Sequence, residues 1–458
     1  MIEELYKTYL ASRCVTTDSR AITPGCIFFA FKGEHFDGNA FARQALEQGA
    51  AMCVVSDESL RGVEHCVVVP NVLKTLQQLA QYHRKQLTIP IIGITGTNGK
   101  TTTKELVHAV LSRRYRTSAT VGNLNNHLGV PLTLLAIPAD AEMAIVEMGA
   151  NHPGEIEQLC GIADPDYGLI TNVGRAHLEG FGSFEGVVRT KTELYRHLAS
   201  KHGTLFVNAD NERLMHEAER LATIPVTPSL LPAYIPGTPI LTSEKIDKTP
   251  LAMVTYGRNE GADVRGTYVG SDPYMHLYFE QGDNVYNVKS NLLGAYNFDN
   301  AMAAVCVGLY FGVEAFDIKQ AIEEYQPSNR RSQFKQTERN SLYLDCYNAN
   351  PSSMAAAIGT FSELNAEHKT AIIGGMHELG NDEHREHKKL VEMLEACHLD
   401  RCLLVGAEFE GITMADNMLL FGDTDAVKAW LQNNSISGAT ILVKGSNTNR
   451  LWTLEELL

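Results

Sequence analysis

Ile91-Ile-Gly-Ile-Thr-Gly-Thr-Asn-Gly-Lys-Thr-Thr-Thr103 is the stretch from which the rest of the chain is read. Its apolar start reads as a buried strand, Gly96 and Gly99 as a tight loop, and Thr101 to Arg114 as a helix with Leu106, Val107, Val110 and Leu111 on one side. A strand, loop and helix of this kind form a phosphate cradle. Loop N–H groups from Gly96, Thr97, Asn98 and Gly99 to Thr102 converge on an anion, and the helix N-terminus adds about half a positive charge. Lys100 neutralises, and the Thr101 hydroxyl can hold Mg²⁺. A Lys-Thr pair directly after the second glycine has no packing reason to be there, which argues against a turn that binds nothing. Ile94 stands where the general G-x-x-x-x-G-K-[ST] pattern has its first glycine, so only the shorter Gly96-Thr-Asn-Gly-Lys-Thr101 core is present. The loop alone does not choose between kinase, GTPase, ATPase and ligase.

At about 150 residues per domain, a chain of 458 residues is expected to form about three domains, each with its own core. Its 54 acidic and 39 basic residues give a net charge of −15, which disfavours nonspecific attachment to nucleic acid or anionic lipid. The N-terminus lacks the basic start and apolar core of a signal peptide, and no apolar run reaches the length of a membrane span; a cytoplasmic protein is expected. Nine cysteines without a C-x-x-C pair indicate neither a zinc site nor a disulfide framework.

Residues 1–87 read as a small α/β unit, with strands at Cys26 to Phe31, Ala51 to Ser56 and Cys66 to Val69 and helices at Ala40 to Gln48 and Asn71 to Gln86. Residues 88–325 read as a larger parallel-sheet domain, in which the strands Ala144 to Met148, Tyr167 to Val173 and Thr204 to Asn208 alternate with helices. From about 221 to 290 proline-rich connections and short alternating strands suggest an antiparallel insertion or sheet extension. Gln326-Pro-Ser-Asn reads as a hinge into a Rossmann-like third domain, residues 326–458, which lacks a G-x-G-x-x-G fingerprint. The expected fold is therefore α/β in three domains.

Ligands of such sheets lie at the carboxyl ends of the strands. Glu147 ends an apolar strand there and supplies the hard oxygen that Mg²⁺ needs beside Thr101. His177 follows the end of the next strand and would reach the same edge; a lone histidine is, however, more often a surface or packing residue. Lys191, by helical periodicity, reads as a solvated lysine. The segment His377-Glu-Leu-Gly-Asn-Asp-Glu-His-Arg-Glu-His387 is not H-E-x-x-H and reads as a solvated helix start. No G-x-S-x-G elbow supports a hydrolase.

Thr171-Asn-Val-Gly-Arg-Ala-His-Leu-Glu-Gly-Phe-Gly182 resembles a stretch of the Mur ligases, ATP-dependent amide ligases that build the peptidoglycan stem peptide. The resemblance runs from Asp18-Ser-Arg-Ala-Ile-Thr-Pro-Gly25 to Val443-Lys-Gly-Ser446. Gly122-Asn-Leu-Asn-Asn-His-Leu-Gly-Val-Pro131, Glu147-Met-Gly-Ala-Asn-His-Pro-Gly-Glu-Ile156 and Asp345-Cys-Tyr-Asn-Ala-Asn-Pro-Ser-Ser-Met354 are its most specific parts. They resemble most the members that add D-alanyl-D-alanine to UDP-N-acetylmuramoyl-tripeptide.

The resemblance implies that Lys100 and Thr101 hold ATP phosphates and Mg²⁺, that Glu147 and His177 complete the metal environment, and that Lys191 matches the lysine the family carbamylates. It places Asn297 and Asn300 at the adenine ring and brings Arg331, Asp345 and Lys444 in from the third domain. Arg331 has Arg330 beside it and lacks the family's preceding glycine. Ser19, Arg20 and Lys32 would face the uridine nucleotide, Asn125 and Asn126 the muramoyl peptide, and Asn348 and Asn350 the incoming dipeptide. A monomer without nucleic-acid or membrane partners is expected. A sister ligase that adds one amino acid or extends folate with glutamate, and a regulatory protein that keeps the cradle without ligating, are the alternatives.

Overall fold

The computed structural model describes residues 1–221, 252–327 and 332–458, which form three sheets. Arg331, the Ser328-Asn329 part of the expected hinge and most of the proline-rich stretch after 221 lie outside the described residues.

The first sheet has 4 parallel strands in chain order, Val15–Thr16, Ile27–Phe29, Met52–Val55 and Cys66–Val68. Helix Val72–Gln86, capped by the Asn71 side chain on Lys74 N at 2.8 Å, turns its apolar face inward through Leu76, Leu79 and Ala80. Those residues belong to an apolar cluster that runs on without a break into the central domain through Leu134, Leu159 and Leu194. Tyr9 Oη donates to Leu135 O at 2.8 Å, and Arg84 pairs with Asp166 at 2.9 Å, so two buried polar contacts pin the same seam.

The central sheet has 9 strands, in spatial order Asn284–Leu293, Tyr274–Gln281, Val264–Ser271, Ala252–Gly257, Thr204–Asn208, Tyr167–Ile170, Ile91–Thr95, Met143–Glu147 and Thr117–Ala119. From Val264–Ser271 to Thr117–Ala119 neighbours run parallel, while the pairs among Val264–Ser271, Tyr274–Gln281 and Asn284–Leu293 are antiparallel. The expected antiparallel segment is thus an extension of the parallel sheet. Ile91–Thr95 is wholly buried, as a strand covered on both faces must be. One face carries the cluster just described. The other packs Leu106, Val107 and Val110 of the phosphate-loop helix against Ala301, Ala304 and Val305 of the apolar helix Asn297–Tyr310.

The third sheet has 6 strands ordered Gln333–Gln336, Ser341–Asp345, Thr440–Lys444, Lys369–Gly374, Arg401–Val405 and Met418–Phe421. Its first strand is antiparallel and the rest are parallel. The last strand in the chain sits between the first two parallel ones, which brings Asp345 and Lys444 into register at the carboxyl edge. This domain has apolar clusters of its own. Its contacts with the central domain include polar pairs around the phosphate loop and an edge-to-face contact between Tyr274 and Phe334.

Candidate active site

Backbone geometry forms the loop. Gly96 has φ 146° and Gly99 φ 78°; a Cβ at Gly96 would fall 2.0 Å from Thr171 Oγ1, and one at Gly99 2.4 Å from Asn300 Oδ1. Only glycine fits either place. The neighbouring strand end ties the loop down: Thr97 N donates to Asn172 O at 2.9 Å, Asn98 N to Asn172 Oδ1 at 3.0 Å, and Thr171 Oγ1 to Asn98 O at 2.6 Å. Gly99 caps the helix Lys100–Leu111, whose N-terminal end faces the loop. Lys100 Nζ folds back onto Gly96 O at 2.9 Å and Thr97 O at 3.0 Å, which holds its charge at the loop.

The strand order sets the neighbours. Glu147 ends the strand beside Ile91–Thr95 and is 1% exposed. It accepts from Thr101 Oγ1 at 3.0 Å and from Asn125 Nδ2 at 2.7 Å, and its own N–H donates to Thr120 Oγ1 at 3.0 Å. A carboxylate this buried, met by neutral donors, is suited to receive a cation. Among the described residues no group of three His, Cys, Asp or Glu could hold a metal ion by itself. The donors here are mixed instead, with the Thr101 hydroxyl and Glu147 beside a phosphate loop, as Mg²⁺ commonly uses when it keeps waters and takes phosphate oxygens.

Two cavities flank the loop and share Asn98, Gly99, Tyr347 and Asn348. The larger, of about 370 Å³, is lined by Thr97, Lys100, Thr101, Asn125, Asn126, Glu147 and His177 among others. The other, of about 290 Å³, is lined by Thr102, Asn297, Asn300, Asp345, Ser352 and Lys444 among others. Asn297 and Asn300 sit on the first turn of their helix in a fixed relay: Thr103 Oγ1 to Asn300 Oδ1 at 3.0 Å, Asn300 Nδ2 to Asn297 Oδ1 at 2.8 Å, and Asn297 Nδ2 to Leu293 O at 2.7 Å. Lys444, 1% exposed, pairs with Asp345 at 2.5 Å. A third cavity, of about 230 Å³, joins His177 to Asn348, Asn350, Glu378 and Thr448.

Lys191 is 3% exposed, contrary to the solvated lysine that periodicity suggests. Its Nζ donates to Ala150 O at 3.3 Å, just behind the wall of the larger cavity. Burial, reinforced by the positive charge of Lys100, holds its ammonium well below the usual lysine range; Glu155 and Glu193 oppose the shift without cancelling it. His177 is also shifted down, by burial first and then by Lys100 and Lys191, against the pull of Glu378.

Not every expected residue meets here. Ser19, Arg20 and Lys32 lie beyond the carboxyl ends of the first two strands of the N-terminal sheet, outside the three cavities, with Arg20 on Asp18 at 2.8 Å and Lys32 3.4 Å from Asp37. The segment from His377 is not simply a solvated helix start. His387 is fully buried and accepts Met376 N at Nε2, 2.9 Å away, while Glu378 contacts His177. Tyr347, which lines all three cavities, was missing from the sequence-based set. Its place beside Asn348 in Asp345-Cys-Tyr-Asn-Ala-Asn350 was the available signal.

Family models cover most of this framework: "Mur ligase family, catalytic domain" matches residues 12–93, "Mur ligase middle domain" 94–227, and "Mur ligase, glutamate ligase domain" 330–447. The UDP-N-acetylmuramoyl-tripeptide D-alanyl-D-alanine ligase of Bacillus subtilis is 33% identical, over 95% of this chain and 91% of its own. The crystal structure of MurF from Acinetobacter baumannii superposes with a TM-score of 0.80 at 30% identity, over 96% of this chain and 92% of that one. MurF from Thermotoga maritima, solved in complex with ADP, gives 0.81 at 26% identity, over 98% and 97%. The chain belongs to the Mur ligase family and is of its MurF type.

Proposed function

We propose that this chain is an ATP-dependent amide ligase that joins D-alanyl-D-alanine to UDP-N-acetylmuramoyl-tripeptide in peptidoglycan precursor synthesis. The observation that carries the reading is the pair of cavities meeting at one phosphate loop. One holds the Asn297–Asn300 relay suited to a nucleobase, and the other the Thr101–Glu147 pair and the Asn125–Asn126 amides suited to a phosphorylated acyl donor. ATP and the tripeptide carboxylate then face each other across Asn98 and Gly99.

A carboxylate oxygen of the tripeptide attacks the γ-phosphorus, and the bond to the departing ADP breaks. The amine of D-alanyl-D-alanine next attacks the acyl carbon, and phosphate and a proton leave. Both steps need positioning and charge neutralisation rather than an enzyme nucleophile. The loop N–H groups and Lys100 hold the transferring phosphoryl oxygens, and Asn348 and Asn350 border the cavity that would take the dipeptide.

Mg²⁺ would be held by Thr101, Glu147 and His177, with Lys191 as a carbamate, and would neutralise the charge on the phosphate oxygens. Burial favours the neutral form of the Lys191 amine, which is the form that adds CO₂; the product would be an anionic oxygen ligand in place of a repelling ammonium. Arg331, Asp345 and Lys444 bring the third domain to the nucleotide, while Ser19, Arg20 and Lys32 meet the uridine end of the substrate. A monomer working in the cytoplasm completes the reading; among the described residues no helix is long and apolar enough to cross a membrane.

ADP release measured with UDP-N-acetylmuramoyl-tripeptide, with and without D-alanyl-D-alanine, tests this. Turnover is expected only when both are present. Turnover driven by a single amino acid or by glutamate on folate moves the chain to a sister ligase, and no turnover with any acceptor leaves only a nucleotide-binding protein.

A further inference from the structure

His177 and Glu378 stand 201 residues apart in the chain and meet across the seam between the central and third domains. Both have left-handed backbones, φ 49° and φ 60°, which non-glycine residues adopt uncommonly. His177 Nδ1 engages the Glu378 carboxylate. An ionised carboxylate only accepts, so Nδ1 carries the proton and Nε2 keeps its lone pair. The segments that carry them also meet through the backbone, Glu179 N donating to Glu378 O at 3.5 Å.

The segment that carries Glu378 is itself anchored. It follows the carboxyl end of strand Lys369–Gly374, and the buried His387 ring fixes it by accepting Met376 N at 2.9 Å and bonding Glu383 O through Nδ1 at 2.8 Å. The carboxylate is therefore presented by a braced turn. His177 in turn lines both the cavity with Glu147 and Thr101 and the cavity with Asn350.

We propose that Glu378 is a positioning residue for His177: docking of the third domain brings its carboxylate onto Nδ1, which orients the imidazole and leaves Nε2 free to ligate a divalent cation. A carboxylate behind a metal-bound imidazole raises its basicity and fixes its ring. Here that partner comes from a different domain, so the histidine becomes a full ligand only when the third domain is docked. The inference rests on the proposed role of His177 as a metal ligand.

The test is Mn²⁺ binding to the full chain with a non-hydrolysable ATP analogue, read by the electron paramagnetic resonance signal of free Mn²⁺. Glu378→Ala should weaken Mn²⁺ binding about tenfold or more, whereas Glu378→Gln, whose amide oxygen still accepts from Nδ1, should stay within about threefold of wild type. In a His177→Ala background, Glu378→Ala should add no further loss. If Glu378→Ala lowers the melting temperature, Glu378→Leu, which keeps bulk but cannot accept, takes its place. Unchanged Mn²⁺ affinity in the non-accepting variant, a Glu378→Gln as weak as Glu378→Ala, or additive losses in the double variant would each overturn the proposal. Dipeptide-dependent ADP release by the wild type is measured alongside. A wild type that turns over while the Glu378 variants bind Mn²⁺ normally sinks this inference and leaves the ligase reading standing.

Discussion

Asn98 of the phosphate loop and Asn350 of the third domain exchange side-chain amide hydrogen bonds, Asn350 Nδ2 to Asn98 Oδ1 at 2.8 Å and Asn98 Nδ2 to Asn350 Oδ1 at 3.4 Å. Asn350 also caps helix Pro351–Glu363, accepting Ser353 N at 2.9 Å in a reciprocal capping box. One residue thus starts a helix of the third domain and holds the loop that would bind phosphate.

The two duties separate by substitution. Asn350→Asp keeps a cap acceptor but cannot donate to Asn98; melting should be close to wild type, while kcat/KM falls about tenfold, the equivalent of about 1.4 kcal/mol. Asn350→Ala should show the same kinetic loss and in addition destabilise the protein by about 1 kcal/mol. Thermal melts and steady-state kinetics on both variants check this, and equal kinetics in wild type and Asn350→Asp would remove the amide pair from the mechanism.

Lys191→Ala should abolish turnover and leave the fold intact, since the hydrogen bond its amine makes is a long one, 3.3 Å to Ala150 O, and burial disfavours its charge. Acid should also inactivate the wild type reversibly. As pH falls through the depressed pKa, the amine takes up a proton and cannot add CO₂. Added bicarbonate should then restore turnover at a given acidic pH. Activity indifferent to bicarbonate, in degassed buffer and out of it, contradicts the carbamate.

His83 gives a stability prediction with a defined sign. It is buried between the hydroxyls of Tyr6 and Tyr9, 3.2 and 3.3 Å away. Burial first, and Arg13 second, push its pKa down from 6.5 to about 4. The unfolded chain therefore binds more protons between these values, so the contribution of neutral His83 is complete above 6.5 and is lost as pH falls through 4. The loss amounts to about 3 kcal/mol at most. The stability difference between wild type and His83→Gln should slope with pH only inside that window, as chemical denaturation at several pH values would show.

The strand, loop and helix around Gly96 were legible because local chemistry dictates them: a continuous apolar run for a strand buried on both faces, and glycines where a Cβ would strike Thr171 or Asn300. Glu147 was legible from its place at a strand end. The burial of Lys191 was not, since it depends on Phe181 and Ala150 arriving from other elements. Nor was Glu378, whose partner lies in another domain. Asn350 was placed near the dipeptide by resemblance alone, and its hold on Asn98 appears only once the two domains are packed.

Packing also sets an expectation for which domain moves. The N-terminal unit shares one unbroken apolar cluster with the central domain, whereas the apolar clusters of the third domain are separate. Opening the first seam exposes apolar surface; opening the second mainly exchanges polar contacts for water. Distances measured by paired spin labels should therefore change between the third and central domains on adding ATP analogue and tripeptide, and stay fixed between the N-terminal and central domains. The reverse pattern would contradict the apolar seam as the rigid one.

The central claim, amide formation through an acyl phosphate at the Thr101–Glu147 site, is tested most directly by tripeptide substrate labelled with ¹⁸O in its terminal carboxylate. Mass spectrometry of the reaction with ATP and D-alanyl-D-alanine should find the tripeptide extended by the dipeptide and one labelled oxygen in the released phosphate. ADP without a new amide, or a new amide with unlabelled phosphate, would contradict it.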